Sequence, residues 1–250
     1  MAYTTYSPHI ALQKHIDAYW MVQTGALVEP YAEPIFPDGC TDIIVNVGYN
    51  STELNGVAFK PGNAYLAGTM TRLTHVNRVP HTCIIGIRFK PGGLSGFYQL
   101  PLPELTDQLV EFTDKALLSL LDPGDGWTQR LDRFFTGKMT SRNEKVMGIT
   151  HLVYNRKGQI TVDELAKNFH ISNRTLERLV KNQIGISPKE LTGIIRFQHA
   201  LQYIRAGSNN ESLLRMAFDT GYYDHAHLTH AIKKYTGLTP SQLAAYYKRS

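Results

Sequence analysis

Hydrophobic positions in the first hundred residues fall into short runs rich in β-branched and aromatic side chains. Residues 19–24, 41–47, 74–77 and 83–89 read as strands, with Pro37-Asp38-Gly39, Gly48-Tyr49-Asn50 and Lys90-Pro91-Gly92 as turns between them. Short strands at this spacing predict a sandwich or small barrel. From Leu94 the spacing of apolar residues becomes helical, over 105–112, 116–121 and 127–135. The polar stretch 137–145 reads as a linker. Beyond it the pattern predicts about seven helices, at 145–155, 162–169, 173–184, 188–205, 211–219, 225–236 and 240–247. The predicted fold class is therefore α+β in two domains. Residues 1–140 form a β-rich domain with trailing helices, and 145–250 form an all-α domain.

The helix starts in the second half are marked by local chemistry. Thr161–Glu164, Ser187–Glu190 and Thr239–Gln242 have the spacing of capping boxes. Pro188 and Pro240 occupy first helical positions, where a missing N–H costs nothing. The stretch 211–236 has a short amphipathic helix, a turn at Gly221 and a second helix, ending Gly237-Leu238-Thr239-Pro240. A degenerate copy at 162–184 ends Gly185-Ile186-Ser187-Pro188. These are two tandem helix-turn-helix units joined by the helix 188–205, and the second helix of such a unit lies in a DNA major groove. The joining helix of 18 residues is about 27 Å long at 1.5 Å per residue. Such a rod holds two reading helices roughly one DNA turn, ~34 Å, apart.

In the first unit, Leu176, Leu179 and Val180 make the inner side. Arg174, Glu177, Arg178 and Lys181 share the outer face at spacing 0, 3, 4, 7, with Ser172 and Asn173 at the helix start. Arginine pairs with guanine O6 and N7, glutamate accepts from cytosine N4, and Lys181 suits a phosphate. In the second unit Leu228, Ala231, Ile232 and Tyr235 face inward. Ala226, Thr229, His230 and Lys233 face outward, with Lys234 beside them and His225 at the helix start. His227 is expected on the inner side. Arg196, on the joining helix, is expected to touch a phosphate. A solvated, salt-bridged helical face is the competing explanation for either outer face.

Charge agrees with this division. The net charge is +5, but 14 Lys+Arg stand against 7 Asp+Glu from Thr150 onward, and 12 against 14 before it. The basic excess lies where the paired units lie, as a polyanion-binding region requires. Two cysteines, Cys40 and Cys83, are too few for a disulfide framework or a cysteine zinc site. With no apolar run of membrane-span length and no signal-peptide pattern, a cytoplasmic location is expected, with no membrane partner.

Residues 145–250 resemble the DNA-binding domain of the AraC/XylS family of bacterial transcription regulators. The residues that carry the likeness include Leu165-Ala166, Ile171-Ser172, Gly185-Ile186-Ser187-Pro188, Ile195-Arg196, Thr220-Gly221-Tyr222, Ile232-Lys233-Lys234 and Gly237-Leu238-Thr239-Pro240. The chain departs from the family pattern at Val180 and Ile232, where Phe is usual, and at His230, near which a reader Arg is common. The likeness implies a sequence-specific regulator that binds double-stranded DNA, with RNA polymerase as a partner if it activates. Residues 36–44 and 86–93 resemble a subgroup whose N-terminal β-rich domain has no assigned role.

For that domain a small-molecule effector pocket is expected, lined by Tyr19, Phe36, Asp38, Cys40, Asp42, Arg72, His75 and Arg88. The helices in 103–136 are a candidate homodimer surface, through Leu109, Phe112, Leu117, Leu120 and Leu121; the alternative is that they only dock the two domains together. No cofactor, metal site or catalytic residue is expected. The alternative is a metal-dependent or DNA-repair enzyme using the same reading domain.

Overall fold

The computed structural model describes residues 2–26, 31–54, 56–122, 124–206 and 213–249. Its strands, in chain order, are β1 (Ala2–Tyr6), β2 (Ile16–Gln23), β3 (Tyr31–Ile35), β4 (Thr41–Asn46), β5 (Thr52–Leu54), β6 (Val57–Phe59), β7 (Ala64–Ala67), β8 (Thr74–Arg78), β9 (Cys83–Phe89) and β10 (Leu109–Phe112). They form two antiparallel sheets, one in the order β1-β2-β9-β4-β7-β10 and one in the order β3-β8-β5-β6. The sheets are open, so the sandwich expectation holds and the barrel does not.

Side chains alternate across β4 and β9, and each face feeds a different core. Ile43, Val45, Ile85 and Ile87 face a core completed by helices. Ile44 and Ile84 face the smaller sheet, with Leu54, Phe59, Tyr65 and Val76. Each such burial contributes roughly 1.5–3 kcal/mol, which makes β4 and β9 the centre of the domain.

Three helices follow: α1 (Leu102–Leu105), α2 (Lys115–Leu118) and α3 (Trp127–Lys138). The expected helix over 105–112 stops early. Asp107 takes a left-handed φ of 58° and its carboxylate accepts from the Thr71 amide and hydroxyl. The chain then turns into β10, which pairs with β7. The expected dimer stripe is also spent internally: Leu117 and Leu121 are buried in the N-terminal core, and Leu109, Phe112 and Leu120 pack against core clusters.

The expected linker is structured. Thr140 bonds the Gly96 carbonyl through both its amide and its hydroxyl. Asn143 is fully buried, donating to the Gly92 carbonyl and facing the His15 ring.

The C-terminal domain has α4 (Glu144–Asn155), α5 (Val162–Asn168), α6 (Asn173–Ile184), α7 (Pro188–Arg205), α8 (Leu213–Asp219), α9 (His225–Thr236) and α10 (Pro240–Arg249). These match the seven expected helices; residues 211 and 212, expected to open the second unit, lie outside the described residues. All three capping boxes form with reciprocal hydrogen bonds. One core runs from Val146 to Leu243, and it includes Phe36 from the N-terminal domain, edge-on to Phe197.

Candidate nucleic-acid interface and the cavity behind it

The two helix-turn-helix units share their turn chemistry. In the first, His170 donates its amide to Lys167 and Ile171 to Ala166. In the second, Gly221 donates to Phe218 and Tyr222 to Ala217. Both turns pass through the left-handed region, at His170 (φ 51°) and Gly221 (φ 79°). Ser172 caps α6 by accepting from the Thr175 amide, and Asp224 caps α9 by accepting from the His227 amide. Each second helix therefore starts at a fixed angle to the first.

On α6, Leu176 and Val180 are buried, while Arg174, Glu177, Arg178 and Lys181 are all exposed. Among the described residues, none of these four takes part in a salt bridge. A salt-bridge network therefore does not account for this face among the described residues. Ser172 is committed to its cap, and Asn173 donates to Asp163 on α5. Those two residues fix the helix start.

On α9, His225, Ala226, His230, Lys233 and Lys234 are exposed and Thr229 is half-buried. The Thr229 hydroxyl donates to the His225 carbonyl at 2.7 Å, which leaves the methyl as its outward chemistry. Lys234 bends its ammonium over the Tyr235 ring, 4.8 Å from the centroid. His227 is exposed, stacking edge-on against Tyr222, and does not face inward as expected. Tyr223, 85% exposed in the turn before α9, is an outward aromatic that sequence pattern did not single out.

Arg196 is engaged within the domain. Its Nε and Nη2 donate to the Gly158 carbonyl at 3.2 and 2.7 Å, and its guanidinium lies over the Tyr222 ring. It ties the loop between α4 and α5 to α7 and to the turn of the second unit. These bonds use two of its five N–H donors, which leaves three for a phosphate contact.

Behind the reading helices lies a cavity of about 880 Å³ between the domains. Its N-terminal wall carries Lys14, Asp17, Asp38, Cys40, Arg88 and Lys90. Its C-terminal wall carries Met147, Thr150, His151 and Tyr154 from α4, and Gln198 and Gln202 from α7. Arg88 is held by carboxylates: it is ion-paired with Asp38, with Asp42 at 3.7 Å and Asp17 at 3.9 Å. Asp42 also accepts from the Trp20 indole at 2.9 Å, and burial pushes its carboxyl up to about 7. Burial likewise pushes the Cys40 thiol up, which keeps it neutral and unreactive; it meets the Tyr154 hydroxyl across the domain boundary.

Of the eight expected effector residues, Asp38, Cys40 and Arg88 line this cavity, and Asp42 stands behind Arg88. The other four lie elsewhere. Tyr19 is fully buried with its hydroxyl on Asp132, and Phe36 is packed in the C-terminal core. Arg72 pairs with Asp107, and His75 is exposed on β8. Sequence pattern missed Lys14, Asp17, Lys90 and the whole C-terminal wall, because nothing local in a sequence says which residues two domains bring together.

Two family descriptions match. "Domain of unknown function (DUF6597)" covers residues 4–111 and "Helix-turn-helix domain" covers residues 165–246. Among curated proteins, the raffinose operon transcriptional regulatory protein RafR of Pediococcus pentosaceus is 28% identical over 113 residues, 45% of this chain and 39% of that protein. The HTH-type transcriptional activator RhaS of Mannheimia succiniciproducens is 27% identical over 95 residues, 38% of this chain and 35% of that protein. The chain thus covers less than half the length of these relatives. Among solved structures, ToxT from Vibrio cholerae superposes with a TM-score of 0.51 at 11% identity, covering 98% of both chains. That likeness extends the two-domain fold over the whole molecule. No helix among the described residues is long and apolar enough to cross a membrane.

Proposed function

We propose that this chain, which carries an AraC-type helix-turn-helix domain behind a DUF6597 domain, is a sequence-specific DNA-binding transcription regulator whose N-terminal domain responds to a small molecule. The observation that carries the DNA-binding half is the outer face of α6. Four charged side chains stand exposed at spacing 0, 3, 4, 7 with no salt bridge to one another among the described residues. Arg174 and Arg178 suit guanine, Glu177 suits cytosine and Lys181 suits phosphate. The second unit offers a less charged surface, with His225, Ala226, Thr229 and His230 outward. Ala226 and the Thr229 methyl suit a thymine methyl.

The responsive half rests on the cavity. It is open to a ligand that would touch the first unit's supporting helices, α4 and α7, and the sheet of the N-terminal domain together. Contact with RNA polymerase and self-association belong to this reading only as consequences of how the regulator acts. The expected dimer stripe gives self-association little support, since Leu117 and Leu121 are buried and Leu109, Phe112 and Leu120 pack partly against the cores.

The test is selection of binding sequences from random duplex DNA by the intact chain. The reading predicts a motif of two blocks centred about one helical turn, ~10 base pairs, apart, with affinity that falls steeply with salt. Enrichment of no motif would overturn it.

A further inference from the structure

The two helix-turn-helix units differ by one residue at the turn, and that residue is Tyr223. In both units the left-handed residue, His170 or Gly221, is followed by one that closes the turn. The Ile171 amide donates to the Ala166 carbonyl, and the Tyr222 amide to the Ala217 carbonyl. Ile171 and Tyr222 both pack on the C-terminal core. The first unit goes straight on to its cap, Ser172, whereas the second places Tyr223 between Tyr222 and its cap, Asp224. Tyr222 fills the inward site, and the added tyrosine stands 85% exposed. Among the described residues neither its ring nor its hydroxyl has a partner. Nothing in the packing of the domain accounts for an aromatic side chain there.

Its place in the unit says what it meets. The first residues of a reading helix contact base edges in the major groove. The side chain immediately before the cap of α9 therefore lies at the groove rim, where the phosphates run. Charge shows why a donor matters at that point. The first reading helix, α6, carries Arg174 in its first turn, whereas the second unit has no lysine or arginine from 216 through 232. Arg215, just before that stretch, is paired with Asp219 on its own helix. The Asp224 carboxylate accepts from the His227 amide at 2.7 Å, which turns its charge toward the helix start. At the start of α9 the second unit thus offers the backbone no permanent cation. A tyrosine hydroxyl is an uncharged donor that bonds phosphate oxygens.

Resting on the regulator reading above, we propose that Tyr223 is a DNA contact of the second unit. Its phenolic hydroxyl donates to a phosphate oxygen at the rim of the groove that α9 enters, and its ring lies against the adjoining sugar. The contact carries no sequence information of its own. It fixes where α9 enters the groove, and so the register of the second block relative to the first.

Fluorescence anisotropy titration of the full chain, on its selected duplex and on a random duplex, tests this. Tyr223→Phe keeps the ring and removes the hydroxyl. Loss of a bond to a charged acceptor should weaken binding to both duplexes by about tenfold, with the selected motif unchanged. The salt slope should stay the same, because a neutral donor neutralises no phosphate. Tyr223→Lys puts a cation at the same point and should steepen the slope by about one unit. Thermal midpoints close to that of the unaltered chain establish that both variants fold. Full affinity of Tyr223→Phe on both duplexes, an unchanged slope in Tyr223→Lys, or a loss confined to the selected duplex with an altered motif overturns the contact. Such a result with a motif still selected leaves the regulator reading standing. No binding of any duplex by the unaltered chain removes that reading, and the contact with it.

Discussion

Gly185 and Gly237 end equivalent helices in equivalent ways, yet they serve different surroundings. Each sits in the left-handed region, at φ 99° and 73°, and each donates its amide to the lysine carbonyl four residues back, at 2.9 Å. Around Gly237 a Cβ would meet nothing within 4 Å. Around Gly185 it would come to 2.8 Å from the Leu102 carbonyl and 2.9 Å from the Thr106 hydroxyl oxygen. The N-terminal domain is bolted at this point: Thr69 donates to the Ile184 carbonyl at 2.6 Å and Thr106 to the Gly185 carbonyl at 3.0 Å. One motif, used twice, gives a reading unit clamped to the N-terminal domain and a second with, among the described residues, no such bond at its cap. The N-terminal domain thus contacts the first unit directly at this cap, and α7 joins that unit to the second.

The largest effect that separates the two units is steric. Gly185→Ala adds left-handed strain to a backbone clash, and should cost about 3 kcal/mol or more. Gly237→Ala adds strain alone, about 1–2 kcal/mol. Urea unfolding of the full chain measures both, and equal losses would mean that the clamp is loose.

Next in size is the reading chemistry. Arg178→Ala should lower affinity for the selected site by about 1–3 kcal/mol, with little change on random DNA. Thr229→Ala should cost less, because it removes only a methyl from the groove side. If Arg178→Ala weakens both DNAs alike, Arg178 contacts phosphate.

Arg196 then sharpens the link between the units. Arg196→Ala should lower stability by about 1–2 kcal/mol, through loss of charged donors on the Gly158 carbonyl. The salt dependence of DNA binding should stay unchanged. A salt slope lowered by about one unit would instead establish the phosphate contact that the sequence suggested.

The smallest effects should be equal. Ser187 and Thr239 follow the two glycines and build the same box, so replacing either by Ala should cost about 1 kcal/mol. A large difference between them would mean that the units differ in their caps as well as in their docking.

What was legible in the sequence is what local chemistry decides. The boxes at Thr161, Ser187 and Thr239, the turns before Ser172 and Asp224, and the outward faces of α6 and α9 all form within a few residues of chain. What was not legible depends on distant partners. Leu109 and Phe112 have helical spacing from Leu105, but Asp107 turns the chain and β7 offers an open edge. Asn143 reads as linker and is buried because Gly92 and His15 reach it from fifty or more residues away. Phe36 reads as a pocket residue and completes the core of the other domain. The cavity follows the same rule, since half its wall comes from each domain.

The central claim is that two unequal units read two blocks of one site. Repeating the sequence selection with Arg178→Ala and with His230→Ala in the full chain tests it most directly. The account predicts that Arg178→Ala loses base preference in one block and keeps the other, and that His230→Ala does the opposite, with the blocks about one helical turn apart. Loss of the same positions in both variants, or a uniform weakening without change of motif, would contradict it.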